Sequence, residues 1–151
     1  MSLLINTLRI SNFRGISDVE IALLRTTVLF GANNAGKTSI IKALQLALGD
    51  YSRFLSTEDF HIDADDVSQN RITVDLRIVA ENGGEIPEEW YEVFEDNIQS
   101  TPDGEQFVVV RTVAEPDPIK GGYRIERYYL NEWPEAAQWA LAAVKNTNKI
   151  T

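Results

Sequence analysis

Hydrophobic and polar positions alternate along Leu8-Arg9-Ile10-Ser11-Asn12-Phe13, the period of a strand with one face in a core. Gly15 and Ser17-Asp18 mark a turn, and Val19 to Leu23 alternates again, with Val19, Ile21 and Leu23 set against Glu20 and Ala22. Thr26 to Phe30 is a near-continuous apolar run, which suits a central strand covered on both faces. The period then changes. From Lys37 to Leu48, residues Ile40, Ile41, Leu44 and Leu48 recur at helical spacing, and Gly49 stands where a glycine would end the helix. A polar, acidic stretch follows. Arg71 to Val79 is the cleanest strand pattern, with Ile72, Val74, Leu76 and Ile78 on one face and Arg71, Thr73, Asp75 and Arg77 on a polar, exposed one. Pro87 to Asp96 predicts a short helix begun by proline. Phe107 to Ala114 and Tyr123 to Leu130 predict two strands joined by the turn-rich EPDPIKGG. Pro134 to Lys145 predicts a last helix, and NTNKIT a frayed end.

Strands on either side of helices in this order predict an α/β or α+β domain with a mixed sheet. No repeat, low-complexity segment or linker divides the chain, so residues 1–151 are expected to form one domain. The composition agrees: 44% of the residues are hydrophobic and 25% charged. Without cysteine there is neither a disulfide framework nor a thiolate metal site. The net charge of -9, from 14 basic and 23 acidic residues, argues against a chain that grips nucleic acid through its phosphates. No segment reaches the roughly 18 apolar residues of a membrane span. MSLLINTLRI lacks the basic start of a secretory signal. The expectation is a cytoplasmic domain without a membrane partner.

Between the predicted strand ending at Phe30 and the predicted helix lies GANNAGKT, which fits G-x-x-x-x-G-K-[ST], the Walker A P-loop, at Gly31, Gly36, Lys37 and Thr38. Glycines let the backbone curl so that consecutive N–H groups point at a phosphate, and the helix that follows adds its positive end. Lys37 would reach the β- and γ-phosphates, and the Thr38 hydroxyl would ligate Mg²⁺. A guanine-nucleotide switch is not supported. There is no D-x-x-G, and Asn148-Lys149 is followed by Ile150-Thr151 rather than the x-D of a guanine reader. An arginine-rich lid of the small-molecule kinase type is also missing.

The opening LRISNFRGI, two strand patterns and then VLFGANNAGKTSIIKALQLALG resemble the N-terminal part of ABC-type ATPase heads, the SMC, RecF and OLD (overcoming lysogenisation defect) proteins, within the broader AAA family. The segment STEDFH, the acidic stretch and RITVDLRIV are most similar to OLD-like ATP-dependent endonucleases. The resemblance implies a P-loop NTPase fold: the first lobe of an ABC ATPase head, with a P-loop helix and additional antiparallel strands. It implies ATP and Mg²⁺ as cofactors, and a homodimer of heads in the full-length protein that controls a nuclease or DNA-repair activity. DNA would be reached only through further domains. It also places the asparagine and arginine of N-F-R near the nucleotide, here Asn12 and Arg14, although on context alone Arg14 also reads as a solvated strand-end charge; Phe13 reads as core. The expected nucleotide site is therefore Asn12, Arg14, Gly31, Asn33, Asn34, Ala35, Gly36, Lys37, Thr38 and Ser39, with Thr38 also the metal ligand. Ala32 and Ala35 replace the proline and serine of the commonest form of the loop, and neither change removes a backbone donor.

Hydrolysis also needs a Walker B strand carrying Asp and then Glu. Ile72-Thr73-Val74-Asp75 comes nearest, but Leu76 stands in the glutamate's place, and Asp75 reads as an exposed strand residue. The signature motif and the Toprim nuclease domain are also missing, so no catalytic residue is assigned and the chain reads as a partial head that hydrolyses ATP poorly. Two alternatives stay open: a non-catalytic interaction module that docks on a full-length head, and a fragment of a RecF/SMC-type DNA-repair ATPase. The acidic segment Glu58 to Asp66, with the lone His61, invites a metal reading. It fits an EF-hand at Asp63 and Asp65 but not at Val67 and Ser68, so a solvated loop is expected.

Overall fold

The computed structural model describes residues 3–14, 16–23, 34–49, 71–134, 139–140 and 148–150. Their framework is one seven-stranded antiparallel sheet in the order β2-β1-β3-β5-β6-β7, with β4 paired to β5 off this path. The strands are β1 (Leu3–Phe13), β2 (Ile16–Ala22), β3 (Ile72–Ala80), β4 (Gln99–Ser100), β5 (Gln106–Pro116), β6 (Tyr123–Leu130) and β7 (Asn148–Ile150). Two helices accompany them, α1 (Asn34–Leu48) and the short α2 (Tyr91–Phe94), the latter flanked by 3-10 turns at Glu88–Trp90 and Glu95–Asn97.

Every described pairing is antiparallel, so the expected mixed sheet is not seen among the described residues. The predicted strand 26–30 lies outside them, as do the acidic segment 58–66 and most of the predicted helix 134–145. The expected frayed end is corrected. Asn148–Ile150 pairs with β6, Lys149 lying opposite Tyr128, because a short strand there satisfies backbone groups that the edge of β6 would otherwise expose.

Alternation decides what each face carries. Leu8 and Ile10 of β1 and Ile72, Val74 and Leu76 of β3 are buried against Ala43, Leu46 and Ala47 of α1, joined by Ala114 of β5. Phe13 breaks the period. Asn12 takes φ 64°, a left-handed value that asparagine tolerates better than most residues, and Phe13 packs with Leu8 and Ile10 rather than with Arg9. Farther along, Ile86, Phe94 and Val108 form a second cluster, with Trp90 stacked on Phe94 at 5.9 Å. The other face of the sheet bears Arg9, Thr73, Asp75 and Arg111, all buried. Asp75 is 0% exposed, which corrects its reading as an exposed strand residue. The alternation was right, but the face it assigned to solvent is covered by the segment after β6.

Candidate functional site

The residues of the Walker A pattern divide at the start of α1. Gly31 and Asn33 lie outside the described residues. Asn34, Ala35, Gly36 and Lys37 form the first turn of the helix. The first four N–H groups of a helix have no carbonyl partner within it and carry its positive end, so this turn offers donors to an anion. No acidic side chain occupies it to compete. One step on, the helical twist sends neighbouring hydroxyl residues apart: Thr38 is exposed, whereas Ser39 is buried at 4% exposure on the sheet side. Thr38 is thus the hydroxyl residue that a metal could reach. The same outward stripe carries Ile41 and Leu48, which are 50% and 59% exposed.

Asn12 and Arg14 sit where β1 turns into β2. Phe13 pairs with Ile16, so Arg14 lies in the tight turn between the two strands. The right-handed twist of the strands favours positive φ in such loops, and Arg14 adopts φ 54°. The Asn12 side-chain amide donates to the Arg71 carbonyl at 3.0 Å, which ties the end of β1 to the start of β3. The two residues therefore lie on the strand end whose Phe13 contributes to the core under α1.

Asp75 meets different partners. Its two oxygens accept from Nε and Nη2 of Arg111 on the neighbouring strand, at 2.8 and 2.9 Å. Burial raises its pKa above the ordinary carboxylate value, while the hydrogen bond and charge of Arg111, then Arg9 and Arg71, pull it back. On its other side Arg9 bonds Glu20 at 2.6 Å. A line of alternating charge, Glu20, Arg9, Asp75 and Arg111, thus crosses β2, β1, β3 and β5 in register. Trp133 lies 4.0 Å from the Arg9 guanidinium, and the Pro134 and Trp139 carbonyls accept from Arg9 and Arg111 at 2.6 and 3.0 Å. With both oxygens held by arginine, Asp75 is not placed as a Walker B metal ligand.

A family model described as an AAA ATPase domain matches residues 4–105, about two thirds of the 151 residues. The chain belongs to the AAA ATPase domain family. A 47-residue stretch of the chain is 40% identical to the OLD nuclease of Thermus scotoductus, and this match bears out the OLD-like resemblance. The matched stretch is 31% of this chain and 9% of that nuclease, so the chain covers far less than two thirds of its relative.

Membership in the AAA ATPase domain family implies nucleotide and metal use in general, and the residues present fit that donor set. An acid-free helix start supplies N–H donors, and Thr38 supplies a hard oxygen of the kind Mg²⁺ prefers. Elsewhere the described surface has less to offer a polyphosphate. A cleft of about 730 Å³ on the charged face sets Arg77 against Glu20 and Glu132, a balance that does not favour anions. No described group of three or more His, Asp or Glu side chains could hold a metal. Among the described residues of this AAA ATPase domain, no helix is long and apolar enough to cross a membrane.

The pattern search missed Arg9, Arg111 and Trp139. Arg111 was detectable, since an arginine inside Phe107-Val108-Val109-Val110-Arg111-Thr112-Val113 has no reason to sit in an apolar strand unless a buried carboxylate meets it.

Proposed function

We propose that this chain binds ATP–Mg²⁺ through Gly31 to Ser39, as the N-terminal part of an OLD-like ATP-dependent nuclease. The observation that carries the reading is that the G-K-T end of the motif falls at the acid-free start of α1, with Thr38 exposed. Backbone N–H groups of the loop and first turn would hold the phosphates, Lys37 the β- and γ-phosphates, and Thr38 the metal. Asn12 and Arg14 would approach from the β1–β2 turn. The bound metal would neutralise phosphate charge. The chain alone turns ATP over poorly, because the sequence holds no Walker B pair and Asp75 is engaged by Arg111. In the full-length protein ATP would clamp two heads together and control a nuclease that meets DNA through other domains, in the cytoplasm. Titration of ATP–Mg²⁺ into the wild-type chain and Lys37→Ala tests this. A loss of at least about tenfold in affinity is expected, since charge-assisted bonds to phosphate contribute about 1.5–3 kcal/mol. Equal binding by both proteins would remove the proposal.

A further inference from the structure

Arg127 of β6 reaches the end of α1 opposite the proposed phosphate site. Its Nη2 donates to the Leu46 carbonyl at 2.8 Å and its Nε to the Ala47 carbonyl at 3.4 Å. These are two of the four carbonyls that a helix leaves without an intrahelical partner at its C-terminus. The last turn of α1 contains no basic residue of its own, so this positive charge comes from a strand about 80 positions farther along the chain. Gly49 closes the helix with φ 98° and a 3.2 Å bond from its N–H to the Leu46 carbonyl. Arg127 itself is held between two strands, opposite Thr112 on one side and Ile150 on the other.

We propose that Arg127 is a positioning residue for the nucleotide site at the far end of α1; the role rests on the nucleotide reading above. A guanidinium that grips two successive carbonyls fixes both the rotation of the helix about its axis and its advance along the sheet. The helix is stiff, so this setting is transmitted to its first turn, where the donors to phosphate lie. Direct electrostatics is the smaller effect. The two ends of the 15-residue helix are about 22 Å apart, more than two Debye lengths at physiological salt. Position, rather than field, is what Arg127 supplies.

The test uses the whole chain and calorimetric titration of ATP–Mg²⁺ into the wild type, Arg127→Gln, Arg127→Lys and Arg124→Gln. Arg124 is an exposed arginine on the same strand that pairs with Glu115 at 2.8 Å and with Glu126 at 3.6 Å. Arg127→Gln should weaken binding about 5- to 10-fold, at the coupling strength usual for a residue that acts through an intervening element. Arg127→Lys, which can still meet one carbonyl, should recover most of that loss, and Arg124→Gln should bind as the wild type does. A purely structural role predicts a different signature: fewer binding-competent molecules, with an unchanged Kd in those that remain. An unchanged Kd in Arg127→Gln, beside a wild type that binds, overturns the role of Arg127 and leaves the nucleotide reading standing. A wild type that fails to bind ATP–Mg²⁺ overturns both.

Discussion

On one face of the sheet, α1 lays Ala43, Leu46 and Ala47 over Leu8, Ile10, Val74 and Leu76. On the other, Trp133, Pro134 and Trp139 cover Arg9, Asp75 and Arg111. Both faces bury the same strands, yet they specify the fold differently. Apolar contact is roughly proportional to area and tolerates small shifts, so it sets how firmly α1 adheres more than where it lies. The charged face tolerates none. A one-residue slip of β3 would turn Asp75 to the opposite face, away from both arginines, so the ionic line fixes the register of the strands on which α1 rests.

The largest effect expected from breaking this contrast is at Asp75. Asp75→Ala should cost about 3–5 kcal/mol by urea unfolding, because Arg111 would stay buried without its carboxylate. Leu46→Ala on the helix face falls in a similar range, about 2–5 kcal/mol, for the different reason that it leaves a cavity. The faces separate when a second change is added. Asp75→Leu with Arg111→Met should return most of the lost stability, since apolar pairs of similar volume often replace buried ion pairs at no cost. The pKa points the same way. Desolvation outweighs the arginines and raises the folded value, so the folded chain holds this proton more tightly than the unfolded one. The stability Asp75 contributes is therefore complete below the ordinary carboxylate pKa and falls as pH rises through the raised one. A double variant much less stable than the wild type would mean that the charges themselves hold this face together.

A smaller effect separates the cover from the ionic line beneath it. Trp139 is 2% exposed, its indole N–H donates to Asp18 at 2.7 Å, and its carbonyl receives Arg111. Trp139→Phe keeps an aromatic ring and the carbonyl but removes the indole donor along with the five-membered ring that carries it. Because Asp18 is exposed, the expected loss is about 1.5–2 kcal/mol, in the lower part of the range for a bond to a charged group. A loss as large as that of Asp75→Ala would show that the tryptophan, and not the ion pair, organises the charged face.

Most strands were legible in the sequence because their alternation is local. Tyr123 to Leu130 is recovered with its expected bounds, and Arg71 to Val79 shifts by one residue at each end. What could not be read was which polar face is covered. Asp75 alternates like a solvated residue, and only the pairing of β3 between β1 and β5, with Trp133 and Trp139 above, reveals a buried one. Phe13 shows the same limit on a smaller scale. Its face depends on the left-handed backbone of Asn12, which periodicity does not record. Of the candidate site, the motif and its helix were legible because their chemistry is contiguous. The divergence of Thr38 from Ser39 follows from helical phase once the buried side of α1 is known. The support at the other end of α1, Arg127, was not legible, since it lies about 80 residues away and belongs to no motif.

The smallest expected effect concerns a third arginine, which the charged face does not explain. Arg9 and Arg111 lie within the ionic line, and Arg14 lies at the β1–β2 turn with φ 54°, where glycine or asparagine is easier to accommodate. Such a conformation costs a non-glycine residue about 1 kcal/mol. If the side chain is kept for the nucleotide, Arg14→Gly should raise unfolding stability by about that amount while ATP–Mg²⁺ affinity falls. The two measurements oppose each other only under that reading. A variant less stable than the wild type, with unchanged affinity, would place Arg14 with Arg9 and Arg111 as an arginine that serves the fold.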